Sequence, residues 1–201
     1  MRHRVVGFDL DMTLIDPRPG VVDTLRRLSE ETGVAIDGEL VASRLGPPLE
    51  TELANWFPAE RVDAAADRYR ELYVPYAVPR TTALPGAVDA VAAVRADGAA
   101  AVVVTAKQEA LARASLDAVG IVADVVVGWR HGAAKGETLR EHGATAYVGD
   151  HVADVDGARV ARAVAVAVAS GPCSAEELRA YGADVVLETL AEFPAWWRMG
   201  A

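Results

Sequence analysis

The chain has 201 residues, 52% of them hydrophobic and 24% charged, enough apolar material for one good core and a small appendage and too much for intrinsic disorder. A formal net charge of −9 leaves no basic surface for nucleic acid or anionic lipid, so neither partner is expected. One cysteine, Cys173, excludes an intrachain disulfide, and no apolar run nears the ~18 residues that span a bilayer.

Met1-Arg2-His3-Arg4 leads into only four apolar residues before Asp9, too few for a signal-peptide core, and a cytoplasmic protein is expected. Val5-Val6-Gly7-Phe8 reads as a first strand with Asp9 at its end. From Asp16 to about Leu84 the pattern becomes helical throughout, with no convincing strand. Helices are expected over Asp23–Glu31, Gly38–Leu45, Leu49–Phe57 and Glu60–Tyr73, separated by most of the chain's ten prolines. Leu84-Pro85-Gly86 closes this segment like a hinge.

Beyond it, short β-branched runs alternate with helix-period segments. Strands are expected at Ala101–Val104, Asp124–Val127, Ala146–Val148, Val164–Val168 and Asp184–Leu187. Helices are expected at Val88–Ala96, Glu109–Val119, Glu137–His142, Val152–Arg162 and Ala175–Tyr181, with Gly98, Gly120, Gly143 and Gly182 as stops. Near-continuous apolar strands joined by helices predict a doubly wound, Rossmann-like parallel α/β sheet buried on both faces. The fold expected is therefore an α/β body, residues 1–15 and 85–201, with a smaller all-helical domain, 16–84, inserted after the first strand.

The chemistry-bearing residues fall at strand ends. Phe8-Asp9-Leu10-Asp11-Met12-Thr13 places two carboxylates two positions apart where a buried strand stops, and ligands of open α/β sheets bind at such carboxyl ends. Clustered carboxylates repel unless a cation neutralises them, and hard oxygen ligands suit Mg²⁺. Thr105 follows another strand with a hydroxyl for a phosphoryl oxygen, Lys135 precedes a third, and that strand delivers Gly149-Asp150-His151-Val152-Ala153-Asp154. Each has an ordinary reading as a cap, a surface charge or a helix N-terminal acid, but the ordered set supplies a nucleophile, a phosphate hydroxyl, a cation and metal ligands. The only two lysines are Lys107 and Lys135, against eighteen arginines. Spacing favours Lys135 for the site; Lys107 is either a phosphate neighbour or a solvated residue at a helix start.

With these motifs in this order, the whole chain resembles the haloacid dehalogenase superfamily, specifically its helically capped phosphatases of the phosphoglycolate phosphatase type. The resemblance implies Asp9 as nucleophile, Asp11 as general acid and base, and Lys135 as the neutralising lysine. It implies a Mg²⁺ site from Asp9, the Asp11 backbone carbonyl and Asp150, with Asp154 in the outer shell. Thr105, Ala106 and Lys107 would bind the phosphate of a small-molecule ester. Met12 stands where the family more often has Gly or Ser. Arg44, in the interhelix loop Arg44–Pro48, is a candidate for a substrate carboxylate or second phosphate, with a plain turn as the other reading. Trp56, Phe57, Tyr69 and Tyr73 read as core of the helical segment, His151 as a local hydrogen-bonding residue, and Trp196-Trp197 as packing on the sheet edge. Asp11 argues against a dehalogenase, and the absence of any lysine before Ala106 argues against a phosphonatase. A sugar-phosphate mutase, or a noncatalytic phosphate-binding or signalling domain, remains as an alternative, and a monomer or a homodimer is expected.

Overall fold

The computed structural model describes residues 4–200; Met1, Arg2 and His3, part of the N-terminal stretch read above as too short for a signal peptide, and Ala201 lie outside the described residues. The strands are β1 (Val5–Phe8), β2 (Ile15–Asp16), β3 (Thr82–Ala83), β4 (Ala100–Val104), β5 (Val125–Val127), β6 (Ala146–Gly149), β7 (Val164–Val168) and β8 (Val185–Leu187). Helices α1 (Arg18–Thr32), α2 (Gly38–Ala42), α3 (Leu49–Leu53) and α4 (Ala59–Tyr76) lie between β2 and β3. The remaining helices are α5 (Ala87–Ala96), α6 (Glu109–Ala118), α7 (Ala133–Glu141), α8 (Val152–Ala161), α9 (Ala175–Tyr181) and α10 (Phe193–Arg198). None among the described residues is long and apolar enough to cross a membrane.

Six strands form one parallel sheet in the order β5-β4-β1-β6-β7-β8. The chain builds outward from β1 in one direction and then reverses to β6, so the crevice of an open α/β sheet falls at the carboxyl ends of β1, β4 and β6. Strand alternation divides the side chains cleanly. Val6, Phe8, Ala101, Val103, Ala146, Val148, Val166 and Val168 join one buried cluster with α5, α6 and α10. Val102, Val104, Tyr147 and Ala165 join the opposite one with α7 and α8. Each fully buried Val, Leu or Phe contributes about 1.5–3 kcal/mol, and burial on both faces explains why these strands read as unbroken apolar runs.

The helices of the insertion have their own core, in which Leu25, Leu28, Leu53, Tyr69, Leu72 and Tyr73 meet, and Leu111 of α6 is the body's contribution to it. The insertion does contain strand, contrary to the sequence expectation. β2 and β3 pair antiparallel, Ile15 opposite Ala83 and Asp16 opposite Thr82, and stitch its two ends together. Two residues per strand are too few for a periodic signal. α1 begins at Arg18 rather than Asp23 because Pro19 sits in the first turn, where its missing N–H has no intrahelical partner to lose. α2 and α3 stop early, at Ala42 and Leu53, while α4 carries Pro75 in its last turn.

Two further expectations are corrected. α7 begins at Ala133, four residues before the expected start, which puts Lys135 on a helix instead of in a loop. Gly136, inside this helix, lets α7 lie against α8: a Cβ there would stand 2.5 Å from Val160 Cβ and 2.8 Å from the Gly157 carbonyl. The C-terminal tryptophans cover a sheet face rather than an edge. Phe193 packs 5.6 Å from Phe8 of the central strand, Trp197 stacks on Phe193 at 6.2 Å, and the Arg4 guanidinium lies 4.4 Å over the Trp197 ring.

Candidate active site

The loop after β1 is wound tightly around Leu10, whose carbonyl accepts from the N–H groups of Thr13, Leu14 and Ile15. This turn needs a left-handed residue, and Met12 takes it at φ 62°, a conformation costing an ordinary side chain roughly 1–2 kcal/mol. That explains the fit of a Gly at this position. The Met12 side chain is buried, and its carbonyl accepts a 2.6 Å bond from the Ser170 hydroxyl.

Asp9 lies at the carboxyl end of β1, its N–H held by the Val148 carbonyl of the neighbouring β6. The Lys135 ammonium donates to Asp9 Oδ1 at 2.8 Å and to Asp154 Oδ1 at 2.7 Å. Asp154 also accepts from the Tyr147 hydroxyl at 3.2 Å and, through Oδ2, from the His151 N–H that begins α8. His151 closes the same capping box by accepting from the Ala153 N–H, the local role expected of it. Asp150, at the end of β6, accepts from the Thr13 hydroxyl at 2.7 Å. Gly171 faces it so closely that a Cβ would fall 1.8 Å from Asp150 Oδ2; no motif in the sequence marks that glycine.

Asp9, Asp150 and Asp154 are all buried, and each offers an oxygen within 4.8 Å of the others. Three carboxylates stand beside one ammonium, and the imbalance shows in the titration of Asp9 and Asp150. Burial, with Asp154 and Asp11 adding to it and Lys135 opposing it, pushes the Asp9 carboxyl up to about 7. Burial and the charges of Asp9 and Asp154 raise Asp150 well above the usual carboxylate range. Burial alone would lower the Lys135 ammonium, but Asp154 and Asp9 outweigh it and hold the group charged. An all-oxygen, buried, excess-acid set of this kind fits a hard divalent cation.

The second lysine is also here. Lys107 is not solvated: its ammonium donates to Asp11 Oδ1 and to the Tyr73 hydroxyl, both at 2.6 Å, and lies 4.6 Å over the Tyr73 ring. Thr105, buried at the end of β4, accepts the Lys107 N–H on its hydroxyl at 3.2 Å. These residues open into a cavity of about 610 Å³, to which Asp9, Asp11, Thr105, Ala106, Lys107, Lys135, Asp150, Asp154 and Arg44 all contribute. Every candidate singled out in the sequence therefore faces one space. Arg44 reaches it already paired, with Nε and Nη2 on the two Glu52 carboxylate oxygens at 3.1 and 2.7 Å.

Tyr73, Arg70 and Trp129 were not legible as site residues. Tyr73 is core, as its helical spacing predicts, but its hydroxyl emerges on the body side of α4. Arg70, one turn before it, lies 4.6 Å from the ring of Trp129, in the β5–α7 loop. No spacing rule connects residues on separate elements.

A family description, haloacid dehalogenase-like hydrolase, matches residues 6–159. The chain is 31% identical to a phosphoglycolate phosphatase of Rhodospirillum rubrum over 96% of this chain and 90% of that one. It is 29% identical to a probable phosphatase, IndB, of Dickeya dadantii over 94% and 90% of the two. A solved haloacid dehalogenase-like family hydrolase from Streptococcus pneumoniae superposes with a TM-score of 0.81 at 22% identity, covering 97% of this chain and 98% of that one. At that identity the likeness speaks for the fold.

Proposed function

The chain belongs to the haloacid dehalogenase-like hydrolase family, and from that membership we propose that it is a Mg²⁺-dependent phosphatase of small phosphate monoesters, acting through an aspartyl-phosphate on Asp9. The phosphatases named among its relatives support the reading. The observation that carries it is Asp9 itself: a buried carboxylate at a strand end, 2.8 Å from an ammonium and facing the cavity.

Asp9 Oδ attacks phosphorus as the ester P–O bond breaks, and the electron pair leaves on the alcohol oxygen. Asp11, two residues on, gives that oxygen its proton and then takes one from the water that hydrolyses the acyl-phosphate, so one difficult displacement becomes two easier ones. Lys135 offsets charge on the nucleophile and phosphoryl oxygens, while the Thr105 hydroxyl and the Ala106 backbone N–H hold the phosphoryl group. Asp9, Asp150 and the Asp11 carbonyl would hold Mg²⁺, and both Asp154 oxygens are already engaged, which suits an outer-shell role. The cation would supply the positive charge that lets an anionic nucleophile approach an anionic ester. In this reading residues 16–84 are a cap over a body of 1–15 and 85–201, and closure excludes water. The enzyme works in the cytoplasm, as monomer or homodimer.

The test is phosphate release from p-nitrophenyl phosphate with Mg²⁺, with EDTA, and with Asp9→Asn. Turnover that needs Mg²⁺ and vanishes in Asp9→Asn is expected; wild type indistinguishable from Asp9→Asn overturns the proposal.

A further inference from the structure

Much of the cavity outside the Asp9 cluster is apolar. Val21 and Leu25 of α1, Val41 of α2, Leu45, Leu49 of α3 and Leu111 of α6 line it. Arginine and lysine would ordinarily be the partners of a second anion on a substrate, and four line the space, but each is already taken. Arg44 is bidentate on Glu52, which also accepts from Trp56 Nε1 at 3.1 Å. Arg70 pairs with Asp67 and Glu50. Lys107 is on Asp11 and Lys135 on Asp9 and Asp154. A carboxylate placed beside Arg44 would meet a guanidinium whose Nε–Nη2 edge is filled and whose charge is already neutralised by Glu52, a buried group whose one ion-pair partner among the described residues is Arg44. The volume, about 610 Å³, is within the range that takes drug-sized ligands and far exceeds the needs of a two-carbon acid phosphate.

We infer that this cavity selects phosphate monoesters whose alcohol has an apolar aliphatic or aromatic body and no second anionic group. The inference rests on the phosphatase reading and separates this chain's preference from the substrate in its relatives' names. Phosphate sits against Asp9, Thr105 and Lys135, and the alcohol body lies along the Leu45–Leu49–Leu111 wall, where each methylene leaves water.

The experiment measures kcat/KM with Mg²⁺ for n-alkyl phosphates from ethyl to octyl, for phenyl phosphate and for phosphoglycolate. Up to about a fourfold rise per methylene is expected until the wall is covered, with phosphoglycolate at least about tenfold below butyl phosphate, the cost of one anion without a partner. In Glu52→Gln, which frees the Arg44 charge and keeps an acceptor for it, the phosphoglycolate-to-butyl ratio rises at least about tenfold. A flat chain-length series, phosphoglycolate preferred by wild type, or an unmoved ratio in Glu52→Gln overturns the inference while Asp9-dependent turnover leaves the phosphatase reading standing. If no ester is hydrolysed, the phosphatase reading fails, and calorimetry then decides the cavity's preference: tighter binding of hexylphosphonate than of phosphonoacetate supports the apolar selection, and the reverse overturns it.

Discussion

Lys135 and Lys107 each hold an aspartate, at 2.8 and 2.6 Å, but in differently built parts of one crevice. Lys135 sits on α7 at the floor, where every partner comes from the sheet body and where Tyr147 and Asp154 lock it in place. Lys107 sits at the lip, and its second partner, Tyr73, comes from the helical insertion. The floor is fixed by strand ends that fold together with the core. The lip is complete only while α4 lies against the body, so its geometry reports how the insertion is seated. Rigid elements hold the reacting groups at the floor, whereas the lip borrows the Tyr73 hydroxyl from the insertion.

Removing the floor's nucleophile has the largest expected effect: Asp9→Asn lowers kcat on any accepted ester by roughly 10⁴-fold or more, measured as phosphate release, and residual activity above a hundredth of wild type would break the assignment. Lys135→Met comes next. It leaves Asp9 and Asp154 buried without their cation, a loss of about 3–5 kcal/mol in urea unfolding, and kcat/KM falls roughly 10²–10³-fold; a loss under tenfold means the ammonium is structural.

The acid cluster gives the floor a pH signature. The Asp9 carboxyl rises from 3.8 in the unfolded chain to about 7 in the metal-free fold, so the folded protein binds the extra proton. This group's penalty is absent below about pH 4 and grows as pH rises to about 7, on the order of 2 kcal/mol after allowance for its coupled neighbours. Urea midpoints in EDTA should therefore fall across that window, and saturating Mg²⁺ should recover them at pH 7. An Asp9→Asn protein with the same slope would place the effect elsewhere.

The smallest effect belongs to the lip. Tyr73→Phe removes one hydroxyl from Lys107, worth about 1 kcal/mol or roughly fivefold in rate. Because it acts through Asp11, the loss should appear on alkyl phosphates, whose alcohol needs a proton, and be weaker on p-nitrophenyl phosphate, whose leaving group does not. Equal losses on both would make Tyr73 a packing residue only.

This floor-and-lip division follows what a linear chain can encode. Unbroken apolar runs bounded by Gly or polar turns, and acidic or hydroxyl residues where those runs stop, are local patterns. From them Asp9, Asp11, Thr105 and Asp150 were assigned to strand ends, and a strand end in a parallel sheet has one destination; Lys135 and Asp154, read the same way, lie instead on α7 and α8. The first turn of α7, with Gly136 packed on α8, escaped because that contact lies on another element, and the β2–β3 ribbon escaped because two residues have no period.

The sequence by itself determined the sheet, the existence of a helical insertion and the carboxylates at the sheet's carboxyl edge, since burial on two faces and hydrogen-bond closure leave few other arrangements for such runs. Only the tertiary structure decided which side chains meet across elements: Tyr73 with Lys107, Arg44 with Glu52, Arg70 with Trp129, and Gly171 against Asp150. Tyr73–Lys107 and Arg70–Trp129 depend on how α4 lies over the body, Arg44–Glu52 on packing within the insertion and Gly171–Asp150 on packing within the body, outcomes that no spacing along the chain specifies.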